Sequence, residues 1–176
     1  TGSNGKGLGV AQNNFLLFSG TSSAAGAFAT FFTRDNADVT QNFNVSIDVN
    51  FTGNLVGAAD AIFELAITPP GQSIGCRLIR NNKSQYSLCA VNGTNGQDCA
   101  GVGSIGRMTM KWNSGQKEVI CIFDGAQKMI THNGLSNNIV AMQAVAEAGD
   151  TVNVEVDRLV YSLVSVEPPP GPAPQG

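Results

Sequence analysis

Charge is scarce in this chain. Asp, Glu, Lys and Arg make up 13% of its 176 residues, about half the usual share near 25%. Lys and Arg never cluster and the net charge is only −3, which excludes the basic footprint of a nucleic-acid or anionic-membrane binder. No apolar run approaches the roughly 20 residues of a membrane-spanning helix, so membrane insertion is not expected. Histidine is nearly absent too. His132 stands alone, no nucleophile-elbow motif accompanies it, and a Ser-His-Asp hydrolase is left without sequence support. The Gly5–Gly9 stretch is no phosphate loop, because no strand precedes it and no Gly-Lys-Ser/Thr follows. No cofactor and no metal site are expected; the Arg34–Asp38 segment lacks a spaced calcium ligand set and reads as a turn.

Asparagine and glycine supply the polar surface that charge does not, with 17 Asn and 21 Gly. Four of the asparagines open N-glycosylation sequons: Asn44-Val-Ser, Asn50-Phe-Thr, Asn82-Lys-Ser and Asn92-Gly-Thr. Four cysteines accompany them: Cys76, Cys89, Cys99 and Cys121. An even cysteine count beside several sequons points to a secreted or cell-surface chain, where disulfides persist and Asn-linked sugars are added. The length fits one domain with a real core, which disulfides supplement.

Three segments are expected. Residues 1–9 are Gly-rich and read as a flexible N-terminal segment. Residues 10–166 read as a single domain. Residues 167–176 hold five of the seven prolines and read as a semi-rigid polyproline II spacer. Within the domain, alternation of period two dominates. Phe43, Val45, Ile47, Val49 and Phe51 point one way, and Asn44, Ser46, Asp48 and Asn50 the other. Similar runs occur at 15–18, 27–33, 59–68, 74–80, 85–91, 106–112, 117–124, 128–132 and 152–166, mostly separated by Gly, Asn, Ser or Pro. Helical spacing shows only at 138–148, where Ile139, Met142, Val145 and Ala146 can share a face. The expected fold is all-β: an antiparallel two-sheet sandwich of jelly-roll type with at most one short helix.

Two hairpins can be written out. A two-residue loop at Asn82-Lys83 sets Arg80 opposite Gln85 and Cys76 opposite Cys89. Directly opposed residues lie within disulfide range, so Cys76–Cys89 is the favoured bridge and Cys99–Cys121 the remainder. The second hairpin runs from Arg107 to Asp124 around an Asn113–Gln116 turn.

That second hairpin, 107–125 ending in Asp-Gly, resembles one in concanavalin A-like lectin/glucanase domains. The 150–161 segment resembles the closing strand of such domains, and 42–51 an early one. The resemblance implies a jelly roll of two curved sheets that often bind glycans. It implies no family active site. Glu155-Val-Asp157 matches only the start of the legume-lectin metal strand, and Asp60-Ala-Ile-Phe-Glu64 offers one Glu where laminarinase-type hydrolases carry two.

Glycoside hydrolysis needs two carboxylates. Glu64 shares a strand face with Ile62 and Ala66 and is the only candidate catalytic residue, with Asp48 as a partner from another strand; an outer-face structural carboxylate is the plainer reading. Trp112 follows Met108 and Met110 on one strand face and reads as core. Arg80, Gln85 and Tyr86 at a hairpin end form the candidate glycan-binding patch. The function expected from these features is a non-catalytic glycan-binding or adhesion domain whose partners are glycans or extracellular proteins. The alternatives are a self-assembling structural subunit of a fibre, coat or wall, and a glycan-cleaving hydrolase using Glu64.

Overall fold

The computed structural model describes residues 6–12, 15–21, 26–34, 37–57, 60–67, 74–93, 96–132, 140–146 and 149–164. These hold strands β1 (Lys6–Gln12), β2 (Phe15–Thr21), β3 (Gly26–Arg34), β4 (Asn42–Asn54), β5 (Ala61–Ile67), β6 (Ile74–Arg80), β7 (Tyr86–Asn92), β8 (Gly96–Val102), β9 (Ile105–Asn113), β10 (Glu118–Phe123), β11 (Ala126–Thr131), β12 (Val140–Ala146) and β13 (Thr151–Val164), and no helix. A seven-stranded sheet runs β1-β2-β13-β4-β9-β10-β11 and a six-stranded sheet β3-β12-β5-β6-β7-β8. Every pairing is antiparallel. The fold is the expected all-β sandwich.

Alternation builds the core. Phe43, Val45, Ile47, Val49 and Phe51 of β4 are buried, as are Met108, Met110 and Trp112 of β9 and Val152, Val154 and Val156 of β13. Facing them from the six-stranded sheet are Phe63, Leu65 and Ile67, then Ile74 and Leu78, Leu88, Val140 and Met142. Removing these two inner faces from water is what joins the sheets. Trp112 is core, and its indole N–H donates to the Val39 carbonyl at 2.8 Å. In the loop before β4 the Thr40 hydroxyl, above all, holds the Asp38 carboxyl below its ordinary value by hydrogen bonding.

Three expectations are corrected. Residues 138–148 hold strand β12, not a helix. Val140, Met142, Ala144 and Ala146 face inward at period two, and β3 and β5 supply hydrogen-bond ladders on both sides. Residues 6–9, expected to be flexible, belong to β1, because β2 folds back along them from Phe15.

The third correction is the hairpin joining β6 and β7. Asn81 Oδ1 accepts from the amides of Lys83 and Gln85 at 2.9 and 3.0 Å, and Ser84 takes a left-handed φ of 59°. This Asx-type turn encloses three residues, not two. Arg80 therefore pairs with Tyr86 and Cys76 with Ala90. A one-residue slip reverses the face of every following side chain. Cys76 lies on the inward face of β6 with Ile74 and Leu78, and there it bonds Cys121 of β10 across the two sheets. Cys89 points to the outer face and bonds Cys99, its direct cross-strand partner on β8. The observed bridges are Cys76–Cys121 and Cys89–Cys99, in place of Cys76–Cys89 and Cys99–Cys121.

Candidate functional site

The outer face of the seven-stranded sheet carries a groove of about 570 Å³ over β4, β9 and β13. Outward positions of the β4 alternation supply Asp48 and Asn50. Arg107 lies opposite Asp48 on β9, and Glu155 lies opposite Asn50 on β13. A bulge in β13 between Asp157 and Val160 completes the wall. There Arg158 takes a left-handed φ of 49°, and its amide donates to the Asp157 carboxylate at 2.6 Å. Such bulges re-aim side chains, and this one brings the Arg158 guanidinium onto Asp48.

Asp48 is the hub. Arg107 donates to its Oδ1 at 3.1 Å while Arg158 pairs with Oδ2. Asn50 Nδ2 donates to Glu155 at 3.0 Å. Ile105, 65% exposed, adds an apolar surface at the rim. The groove therefore presents guanidinium, carboxylate and amide groups that are oriented by one another. Planar groups of this kind make paired hydrogen bonds with a ligand rich in hydroxyls. Among the described residues no three His, Cys, Asp or Glu side chains converge to hold a metal ion.

A second cluster lies on the outer face of the six-stranded sheet. Gln143, Glu64, Arg77, Cys89 and Cys99 are successive cross-strand partners from β12 to β8. Glu64 is 1% exposed; Arg77 pairs with it at 3.3 Å and the Gln143 amide donates to it at 2.6 Å. Asp48 sits on the outer face of the opposite sheet, so the structure does not bring it to Glu64.

The Arg80, Gln85 and Tyr86 trio is not one outward patch. Arg80 shares the inward face of β6 with Cys76 and Leu78, where it is 7% exposed, and the observed register sets it opposite Tyr86. Its Nε donates to the Tyr86 hydroxyl at 3.0 Å and its guanidinium lies over the Tyr86 ring. That ring packs edge-on against Phe51. Gln85 stays in the turn, accepting from Asn81 at 2.9 Å. Among the sequon asparagines, Asn44 and Asn50 lie on the outward face of β4, Asn82 is exposed in the turn, and Asn92 donates to the Thr131 carbonyl at 3.1 Å.

Sequence reasoning placed Asp48 outward but did not link it to Arg107, Glu155 and Arg158. The signal available was the shared outward parity of Asp48, Asn50, Arg107 and Glu155 on three strands. The bulge that delivers Arg158 left no such trace.

No protein-family model matches the sequence, and no curated protein matches it. Solved structures do. A functionally unknown protein from Saccharomyces cerevisiae is similar at 7% identity, covering 92% of this chain and 98% of its own, with a TM-score of 0.60. A legume lectin-like domain from Entamoeba histolytica is similar at 11% identity, covering 91% and 89%, with a TM-score of 0.54. The marine PL7 alginate lyase from Zobellia galactanivorans is similar at 8% identity, covering 88% and 83%, with a TM-score of 0.55. At such identities the likeness establishes the fold.

Proposed function

We propose that this chain is an extracellular, non-catalytic glycan-binding domain that mediates adhesion, and that the groove around Asp48 is its saccharide site. The observation that carries this reading is the mutual fixing of Arg107, Arg158 and Asp48 beside an exposed Ile105. Donors and acceptors held ready for hydroxyls, next to an apolar patch for the flat side of a sugar ring, are what saccharide recognition needs. Lectin-like and alginate-lyase neighbours of the same fold support a glycan-related role. Two disulfides and four sequons support an extracellular location and N-glycosylation. The Pro-rich 167–176 segment fits a spacer that holds a single binding domain away from its attachment point.

Catalysis is left out for a geometric reason. Glu64 is committed to Arg77 and Gln143, with no second carboxylate on its row of the sheet. The test is a glycan array followed by calorimetry with the whole 176-residue chain. The expected result is saturable binding to hydroxyl-rich oligosaccharides that is lost in Asp48→Ala. Binding to no glycan, or binding unaffected by Asp48→Ala, overturns the assignment.

A further inference from the structure

We infer that two copies of this chain pair through the C-terminal half of β13, joining their seven-stranded sheets edge to edge about a two-fold axis at Ser162. This inference is independent of the saccharide site.

The argument begins with pairing. β2 accompanies β13 only from Thr151 to Val156. Beyond the bulge, Val160–Val164 pair with β4 on one side, and no described strand lies along the other. Natural edges are usually protected by charge, proline or a bulge. Here the bulge ends where the open stretch begins, and Leu159-Val-Tyr-Ser-Leu-Val164 contains neither charge nor proline. Its apolar side chains stand in solvent: Val160 is 47% exposed, Leu163 58% and Val164 41%. An uncharged edge selects no oppositely charged partner, so shape and parity decide what fits.

Parity favours a second copy. Val160, Ser162 and Val164 pair with the outward residues Ser46, Asn44 and Asn42 of β4, whereas Tyr161 and Leu163 pair with the inward Val45 and Phe43. In an antiparallel pair, directly opposed residues share a face. Two-fold pairing of this strand with itself can therefore centre on Tyr161 or on Ser162 without mixing faces. Centring on Tyr161 sets Val160 against the partner's Ser162. Centring on Ser162 sets Val160 against the partner's Val164, Tyr161 against the partner's Leu163, and the two serine hydroxyls within mutual reach on the axis. Within Val160–Val164 every apolar side chain then meets an apolar one, and the contact is isologous and self-limiting.

Sedimentation equilibrium of the whole chain tests this, with two paired variants at exposed positions that leave the core untouched. The chain is expected to show a concentration-dependent dimer. Val160→Lys/Val164→Lys places like charges opposite each other and should lose the dimer. Val160→Lys/Val164→Glu places opposite charges together in the Ser162-centred register and should keep it. Ser162→Cys should give a disulfide-linked dimer under mild oxidation. A monomer at every concentration overturns the inference. A dimer that survives the double lysine variant, or that fails to crosslink through Cys at 162, assigns the contact to another surface and overturns it equally.

Discussion

Asp48 of β4 and Arg107 of β9 face each other directly across two central strands and are joined at 3.1 Å. The pair is partly exposed, so little of the fold depends on it. Its value lies in aiming the guanidinium. Arg107→Ala should therefore weaken oligosaccharide binding by about tenfold or more, the effect of losing about 1.4 kcal/mol of contact, while thermal stability changes by less than about 1 kcal/mol. Calorimetry and thermal denaturation on the same samples check both halves.

Glu64 and Arg77 behave differently because Glu64 is fully enclosed. Glu64→Leu strands the Arg77 guanidinium and should cost about 3 kcal/mol in urea unfolding. Glu64→Leu/Arg77→Leu removes both charges and should recover most of that loss. If the single and double variants unfold alike, the pair is not what stabilises this face.

The two disulfides should be unequal. Cys76–Cys121 spans 45 residues and Cys89–Cys99 spans 10. On the chain-entropy account, replacing both members of the longer bridge by Ala costs about 4 kcal/mol and of the shorter about 3. Non-reducing peptide mapping should recover Cys76 linked to Cys121, and denaturation of each double variant ranks the two.

Glycan occupancy should follow the amide nitrogens. Asn82 is exposed in its turn, whereas the Asn50 and Asn92 side chains already donate to Glu155 and to the Thr131 carbonyl. In a eukaryotic secretory host, intact mass should lose one glycan in Asn82→Gln and change by no sugar unit in Asn50→Gln or Asn92→Gln.

Much of the sandwich was legible because alternation is a local signal: the inward Phe43–Phe51 series and the Met108, Met110, Trp112 series read directly as core. β12 was not legible, since Val140–Ala146 satisfies both periods and only the ladders from β3 and β5 decide between them. The bridges were misread for a reason one residue wide. Asn81 folds its side chain back onto two amides, lengthens the loop, and turns Cys89 to the outer face, away from the inward Cys76. The groove around Asp48 was the least legible part. Its residues come from three strands distant in sequence, and Arg158 reaches it through a left-handed backbone turn.

Cys76–Cys121 also determines how the domain bears load. A pull applied through the chain's two ends can peel β13 from β4, yet it cannot extend what lies between the bridged cysteines. With 45 residues held in that loop, roughly 160 Å of contour stays hidden from the force. In a single-molecule experiment the reduced protein should lengthen by that much more than the oxidised one. Under such a pull the outer strands yield while the segment from β6 to β9 is shielded from extension.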